Sequence, residues 1–168
     1  MLRIMLKMTP LFSEYQFVIA AAPSVPQELY DKIIKDKKVA VLYNRTYDLV
    51  SVAEAALVTS GTATLETALL GTPEVVCYRG SRLSFWIARR IVHVKFISLV
   101  NLIMDREVVV ELIQHLLTRA SLAMELKALL DPAKREALKA DYQKLRTKLG
   151  GRGASDRTAS LIIQYLKN

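Results

Sequence analysis

The chain carries a single cysteine, Cys77, among 168 residues. One thiol closes no internal disulfide and provides no metal cluster. Cys77 lies in the apolar run Glu74-Val75-Val76-Cys77-Tyr78, so it reads as an inert core thiol rather than a nucleophile. Only two histidines are present, His93 and His115. They stand far apart with no metal-ligand spacing around either, and they read as surface or interface residues. No Ser-His-Asp constellation can be built from them. Glycine is scarce, at 6 residues. None falls in a Gly-Lys-Ser/Thr or a Gly-x-Gly-x-x-Gly pattern, which excludes a Walker A loop and the dinucleotide fingerprint. Uninterrupted apolar runs are all too short to cross a bilayer. The opening stretch Met1-Leu2-Arg3-Ile4-Met5-Leu6-Lys7-Met8 is broken by basic residues, so it has neither the apolar region nor the cleavage site of a signal peptide. A cytoplasmic location is the default. Zinc-finger spacing and an aromatic single-strand platform are also missing, so nucleic acid is not counted among the partners.

What is present is positive charge. Lysine and arginine number 24 against 16 acids, a net charge of +8. The basic residues are spread rather than gathered in a tail, and they ask for an anionic partner such as a nucleotide or an anionic membrane surface. The length suits one domain with a proper core.

Short apolar runs alternate with helical segments through the first half. Gln16 to Ala21, Val39 to Tyr43, Ala55 to Thr59 and Glu74 to Tyr78 read as strands. Each is continuous and rich in β-branched residues, the pattern of a parallel sheet covered on both faces. Helices are expected over Gln27 to Lys35, Thr46 to Ala53 with Thr46 as N-cap, and Thr62 to Leu70. Gly71 fits a C-cap, and Thr72-Pro73 a sharp stop. Val94 to Leu99 is read as containing a short strand, and the chain from Glu107 onward as almost wholly helical. Breaks are expected near Thr118 to Ser121, at Asp131-Pro132 with Asp131 capping and Pro132 at the first helical position, and at Gly150 to Gly153. Ser155 opens the last helix.

The expected fold is therefore α/β, a Rossmann-like, doubly wound parallel sheet with right-handed crossovers and a helical C-terminal tail. Residues 1–117 form the Rossmann-like domain and 118–168 the C-terminal helices. The chain opens in a helical segment, where such a domain usually opens with its central strand and a ligand-binding turn. The domain is read as lacking that first strand.

Ligands of open parallel sheets bind beyond the carboxyl ends of the strands. Three loops are expected there: Asn44-Arg45-Thr46, Ser60-Gly61-Thr62 and Arg79-Gly80-Ser81. The second is the most informative. It joins a strand to a helix start, whose unpartnered N–H groups and partial positive charge suit a phosphate. Gly61 lets a ligand approach the backbone closely, and Thr62 and Thr64 offer hydroxyls. Glu66 stands just inside the helix, within reach of a sugar whose phosphate lies on the turn. The rival reading is a self-capped helix, with Ser60 or Thr62 bonding its own N–H groups.

The spacing of these motifs resembles a known family. Ser60-Gly61-Thr62-Ala63-Thr64-Leu65-Glu66, Gly71-x-Pro73-x-Val75-Val76-x-Tyr78-Arg79, Phe85-Trp86-x-Ala88-x-Arg90, Ile97-Ser98-Leu99-x-Asn101-Leu102 and the closing Glu107-x-Val109-x-Glu111-Leu112-Ile113-Gln114 look like lipid-A-disaccharide synthase. The match covers about Thr46 to Gln114. It implies the C-terminal, nucleotide-binding half of a glycosyltransferase of the two-Rossmann-domain (GT-B) type. Such enzymes move 2,3-diacylglucosamine from its UDP form to 2,3-diacylglucosamine 1-phosphate, giving the disaccharide precursor of lipid A and UDP. No metal or cofactor is implied; the UDP-sugar is a substrate. By the same resemblance Ser60, Gly61, Thr62, Ala63 and Thr64 meet the diphosphate and Glu66 the ribose. Tyr78 and Asn101 match donor-site positions, and Arg79 is the candidate for offsetting charge on the departing UDP.

The sequence departs from the family at Val100, where proline is usual before the Asn-Leu pair, and a looser loop is expected there. The family is also about twice as long. Its N-terminal acceptor domain, with the acidic residue expected as general base, and its Pro-Gly-Ser-Arg turn have no counterpart among these 168 residues. The chain alone is accordingly expected to bind UDP weakly and to catalyse no transfer. The helix bearing Phe85, Trp86, Ile87, Arg89 and Arg90 is read either as core packing or as a peripheral contact with the inner face of the inner membrane. Two alternatives stay open: another nucleotide-sugar enzyme of this architecture, or a non-catalytic binding or assembly module. The basic tail from Asp131 would then pack on a partner subunit, a missing N-terminal domain or a second copy.

Overall fold

Four of the five strands follow short apolar runs of the sequence. In the computed structural model, which describes residues 1–35, 39–81, 95–150 and 153–166, they are β1 (Val18–Ala21), β2 (Ala40–Tyr43), β3 (Ala56–Thr59) and β4 (Glu74–Tyr78). The fifth, β5 (Val110–Ile113), lies in the region read from sequence as helical. The run Val108-Val109-Val110 is β-branched and suits a strand, and its neighbours decide the matter: β5 pairs with β4 in parallel, Val75 opposite Val110 and Tyr78 opposite Ile113. Conversely, residues 95–98 form no strand; they lead into a short helix instead.

All pairing among the described strands is parallel. The strands fall into two sheets, β1-β2 and β3-β4-β5, rather than one. The helices are α1 (Leu2–Met5), α2 (Gln27–Ile34), α3 (Thr46–Val52), α4 (Thr62–Leu70), α5 (Leu99–Met104), α6 (Arg119–Leu129), α7 (Pro132–Leu149) and α8 (Ala154–Leu166). Helix α4 ends as its sequence demands. Gly71 takes the left-handed conformation at φ 87°, and the Thr72 N–H turns back to the Thr67 carbonyl, closing the last turn without a Cβ clash. Asp131 caps α7 by accepting from the Lys134 N–H, with Pro132 at the first helical position. Thr118 and Ser121 cap α6 reciprocally. Thr46, by contrast, is the first residue of α3 and not its cap; Arg45 holds that position without a capping side-chain bond.

The main core gathers around β4. Val75, Val76 and Cys77 are fully buried and share a cluster with Met8, Phe12, Leu112, Leu122, Leu138, Tyr142 and Leu145. Helices α6 and α7 thus close over the same core as the three-stranded sheet. Arg135 of α7 bonds Glu54 ahead of β3, and Arg146 bonds the Leu69 carbonyl of α4. A smaller cluster of Leu6, Ala21, Tyr30 and Ile34 sits under β1. The α8 helix leaves Leu161, Tyr165 and Leu166 strongly exposed. No helix of the described residues is long and apolar enough to cross a membrane.

Candidate functional site

The register of the three-stranded sheet aligns its carboxyl ends. Thr59 lies opposite Cys77 and Tyr78 opposite Ile113, so the turns after β3, β4 and β5 open on one edge. At the first of them Ser60 donates its N–H to the Cys77 carbonyl at 3.3 Å. Gly61 then turns the chain into α4 with φ 152° and ψ −166°. Only glycine occupies this region without strain, which accounts for the residue at this position.

No side chain caps α4. The rival reading of a self-capped helix therefore does not hold. Ser60 sends its hydroxyl across the site to the Ile97 carbonyl, at 3.2 Å. Thr64 is buried, and both its N–H and its hydroxyl return to the Gly61 carbonyl, at 3.2 and 2.9 Å. Gly61, Thr62 and Ala63 are exposed. Among the described residues the N–H groups of Thr62 and Ala63 have no hydrogen-bond acceptor. The positive end of the helix is thus presented to solvent, which is the electrostatic requirement for an anion. Glu66 is half-buried and stands one turn on from Thr62, on the same helical face. Among the described residues no donor engages its carboxylate.

The second wall is built around a carboxylate that sequence reasoning had left without a role. Glu111 of β5 accepts from the Ile97 N–H at 2.9 Å, the Ser98 N–H at 2.9 Å, the Ser98 hydroxyl at 2.8 Å and the Asn101 amide at 2.9 Å. Asn101 is fully buried. Its carbonyl oxygen accepts from the N–H groups of Val108 and Val109 at 2.7 and 3.0 Å, and its amide also donates to the Val109 carbonyl at 2.8 Å. Both ends of Asn101 are spent on the protein, so it shapes the site through the loop it holds. Val100 is fully buried within α5, and the Glu111–Asn101 network supplies the fixity that proline would otherwise provide. The signal for this network was an acid inside the run Val108 to Ile113. A half-buried carboxylate is retained there because donors surround it.

The third wall follows β4. Tyr78 is exposed at the strand end. Its ring folds over Gly80, where a Cβ would lie 2.8 Å from the tyrosine oxygen. The Arg79 Nη2 donates to the Leu117 carbonyl at 2.6 Å and the Gln114 carbonyl at 3.4 Å, and Gln114 returns a bond to the Gly80 carbonyl at 3.3 Å. These bonds tie the turns after β4 and β5 together. The remaining expected loop, Asn44-Arg45-Thr46, lies at the end of the two-stranded sheet. Asn44 takes a left-handed φ of 56°, and Arg45 pairs with Asp48 at 3.0 Å. Cys77 is inert, since burial pushes its thiol up to about 12. Among the described residues no group of three or more His, Cys, Asp or Glu could hold a metal. Phe85, Trp86, Ile87, Arg89, Arg90 and His93 lie outside the described residues.

Comparison with known proteins gives the family. The family model described as lipid-A-disaccharide synthetase matches residues 1–164. A lipid-A-disaccharide synthase of Syntrophus aciditrophicus is 39% identical over 175 residues, covering 99% of this chain and 46% of that protein. One from Gloeothece citriformis is 41% identical over 129 residues, covering 75% and 34%. One from Myxococcus xanthus is 34% identical over 154 residues, covering 90% and 40%. The chain thus spans less than half the length of these relatives. By its sequence over nearly its whole length, and with a parallel α/β fold to match, the chain belongs to the lipid-A-disaccharide synthetase family, which is a family of GT-B glycosyltransferases.

Proposed function

We propose that this chain holds the UDP part of a UDP-2,3-diacylglucosamine donor, as the nucleotide half of the enzyme that joins it to 2,3-diacylglucosamine 1-phosphate. The observation that carries the reading is the uncapped, exposed start of α4 at the carboxyl end of β3, with Glu66 one turn along the same face. The diphosphate accepts from the N–H groups of Thr62 and Ala63, beside the Ser60-Gly61 turn. Two donors in the field of a helix end suit a diphosphate far better than a neutral group. Glu66 accepts from the vicinal ribose hydroxyls. Tyr78 offers an exposed ring edge at the neighbouring strand end.

In the reaction an acceptor hydroxyl oxygen bonds to the anomeric carbon of the donor sugar as that carbon's bond to the UDP oxygen breaks. The hydroxyl proton passes to a base outside this chain, and the electron pair leaves on UDP. The chain's contribution is to stabilise that developing charge, through the α4 start and through Arg79. One nitrogen of Arg79 is held by backbone carbonyls, which leaves other guanidinium donors for phosphate. Because both sugars carry acyl chains, contact with an anionic membrane surface belongs to the same proposal, and the net charge of +8 favours it.

Isothermal titration tests the assignment of Glu66. UDP and its 2′,3′-dideoxy analogue are titrated into the native chain and into Glu66→Ala. Loss of the hydroxyls and loss of the carboxylate should each weaken binding by roughly tenfold, and the two losses together should cost no more than one alone. Independent, additive losses contradict the pairing. In a radiolabelled transfer assay the isolated chain should give no disaccharide; turnover would refute the division of labour.

A further inference from the structure

The open start of α4 depends on where one hydroxyl points. Ser60 precedes Thr62 and Ala63 at the spacing from which a serine hydroxyl accepts from backbone N–H groups and caps a helix. Turned that way, it would occupy the two donors offered to the diphosphate. It is turned the other way, donating to the Ile97 carbonyl at 3.2 Å. Ile97 lies 37 positions further along the chain, so the direction of the Ser60 hydroxyl is decided by whatever fixes Ile97.

Glu111 fixes it from the far side. The Ile97 carbonyl and the Ser98 N–H belong to one peptide unit, which is planar and trans, so the two point in opposite directions. One carboxylate oxygen of Glu111 accepts from the Ser98 N–H at 2.9 Å, and the other accepts from the Ile97 N–H at 2.9 Å. A peptide unit gripped by its N–H has its carbonyl aimed away from the grip, here towards Ser60. The oxygen on the Ser98 N–H also takes the Ser98 hydroxyl at 2.8 Å and the Asn101 amide at 2.9 Å. Glu111 is itself placed by β5, opposite Val76 in the parallel ladder.

We infer that Glu111 is a positioning residue for the donor site: by gripping the Ile97–Ser98 peptide unit it keeps the Ser60 hydroxyl off the start of α4, and so keeps the Thr62 and Ala63 N–H groups open to an anion. The step from open N–H groups to a bound diphosphate rests on the UDP reading above; the control of Ser60 by Glu111 does not. The sign of the effect sets this role apart from plain electrostatics. A carboxylate in the wall of an anion site repels the anion, so removing its charge strengthens binding by Coulomb's law. Loss of the positioning role weakens it.

Glu111→Gln tests the role. A carboxamide has one acceptor oxygen, so whichever way it is flipped an NH2 meets the Ile97 or the Ser98 N–H. Glu111→Gln, Ser60→Ala and the double variant form a cycle in the whole chain. The first readout needs no ligand: exchange of backbone amides with water, by NMR. In Glu111→Gln the released hydroxyl caps α4, and exchange at Thr62 or Ala63 should slow at least ~tenfold; in the double variant it should not slow. Destabilisation alone speeds exchange, so slowing at these two amides is not its by-product. The second readout is UDP titration. Glu111→Gln should weaken UDP binding at least ~tenfold where Ser60 is present, and less than ~threefold where Ser60 is already alanine. Unchanged or faster exchange at Thr62 and Ala63 in Glu111→Gln overturns the inference. So do equal losses of UDP affinity in both backgrounds, and unchanged or tighter UDP binding by Glu111→Gln. If Glu111→Gln does not fold, Glu111→Asp, which draws the carboxylate back from its donors by one methylene, is read in its place. Slowed exchange with no UDP binding by any protein, the native chain included, overturns the nucleotide reading and leaves the control of Ser60 standing.

Discussion

Replacing Glu74 by glutamine should change how stability depends on pH. Glu74 opens β4 and is fully buried, and among the described residues both carboxylate oxygens lack a partner. The Tyr142 hydroxyl of α7 is the other buried group nearby; it lies close to the Glu74 backbone without a hydrogen bond of good geometry. Among the described residues no cation offsets the acid, and burial alone pushes it from 4.5 up to about 9. The folded chain therefore keeps this proton between those values while the unfolded chain releases it. Stability associated with the protonated carboxyl is complete below the unfolded value and is lost as pH rises towards 9. The slope amounts to about 3 kcal/mol between pH 4.5 and pH 7. Glutamine keeps the volume and cannot ionise. Urea unfolding of both proteins across pH 5 to 9, with the slope of free energy on urea held as a check on the denatured state, gives the difference curve. The native chain should lose stability relative to Glu74→Gln by roughly 1 kcal/mol per pH step through this range. A difference curve that is flat from pH 5 to 9 refutes the reasoning, whatever its offset.

Asn101→Ala should destabilise the chain by about 3 kcal/mol or more in the same unfolding assay, because it strips a buried acceptor from two N–H groups and a donor from Glu111. Asn101→Asp should be no better, since it sets a second carboxylate against Glu111. Gly61→Ala has open space around the new Cβ but must hold φ 152°; it should cost about 1–3 kcal/mol in urea unfolding and weaken UDP binding by calorimetry. Sedimentation with anionic vesicles should fall on Arg89→Ala/Arg90→Ala; unchanged binding would remove these residues from any membrane contact.

The parallel α/β plan was legible because strand and helix periods differ and because each junction carries its own chemistry. Glu74 to Tyr78, Thr62 to Leu70, the Gly71 cap and the Asp131-Pro132 start could all be read locally. β5 could not, since Val108 to Ile113, five apolar residues interrupted by one acid, suits either period; pairing with β4 decides it. The Ser60 turn was visible as a strand-to-helix junction. Its most important property, the absence of a cap, depends on Ser60 turning to Ile97, a contact far away in sequence. Asn101 and Glu111 were both inside recognised motifs, yet only their mutual bonds separate a positioning role from ligand contact. Arg79 is similar: its anchor lies on Leu117, beyond every motif that named it.

The central claim is that the start of α4 binds a diphosphate. An NMR titration of the isotopically labelled chain with UDP, UMP and uridine tests it directly. The account predicts that the Thr62 and Ala63 amides shift most, that affinity falls at least ~tenfold from UDP to uridine, and that the shifts at these two amides vanish with the phosphates. UDP binding that leaves these amides unmoved, or uridine binding as tightly as UDP, would contradict it.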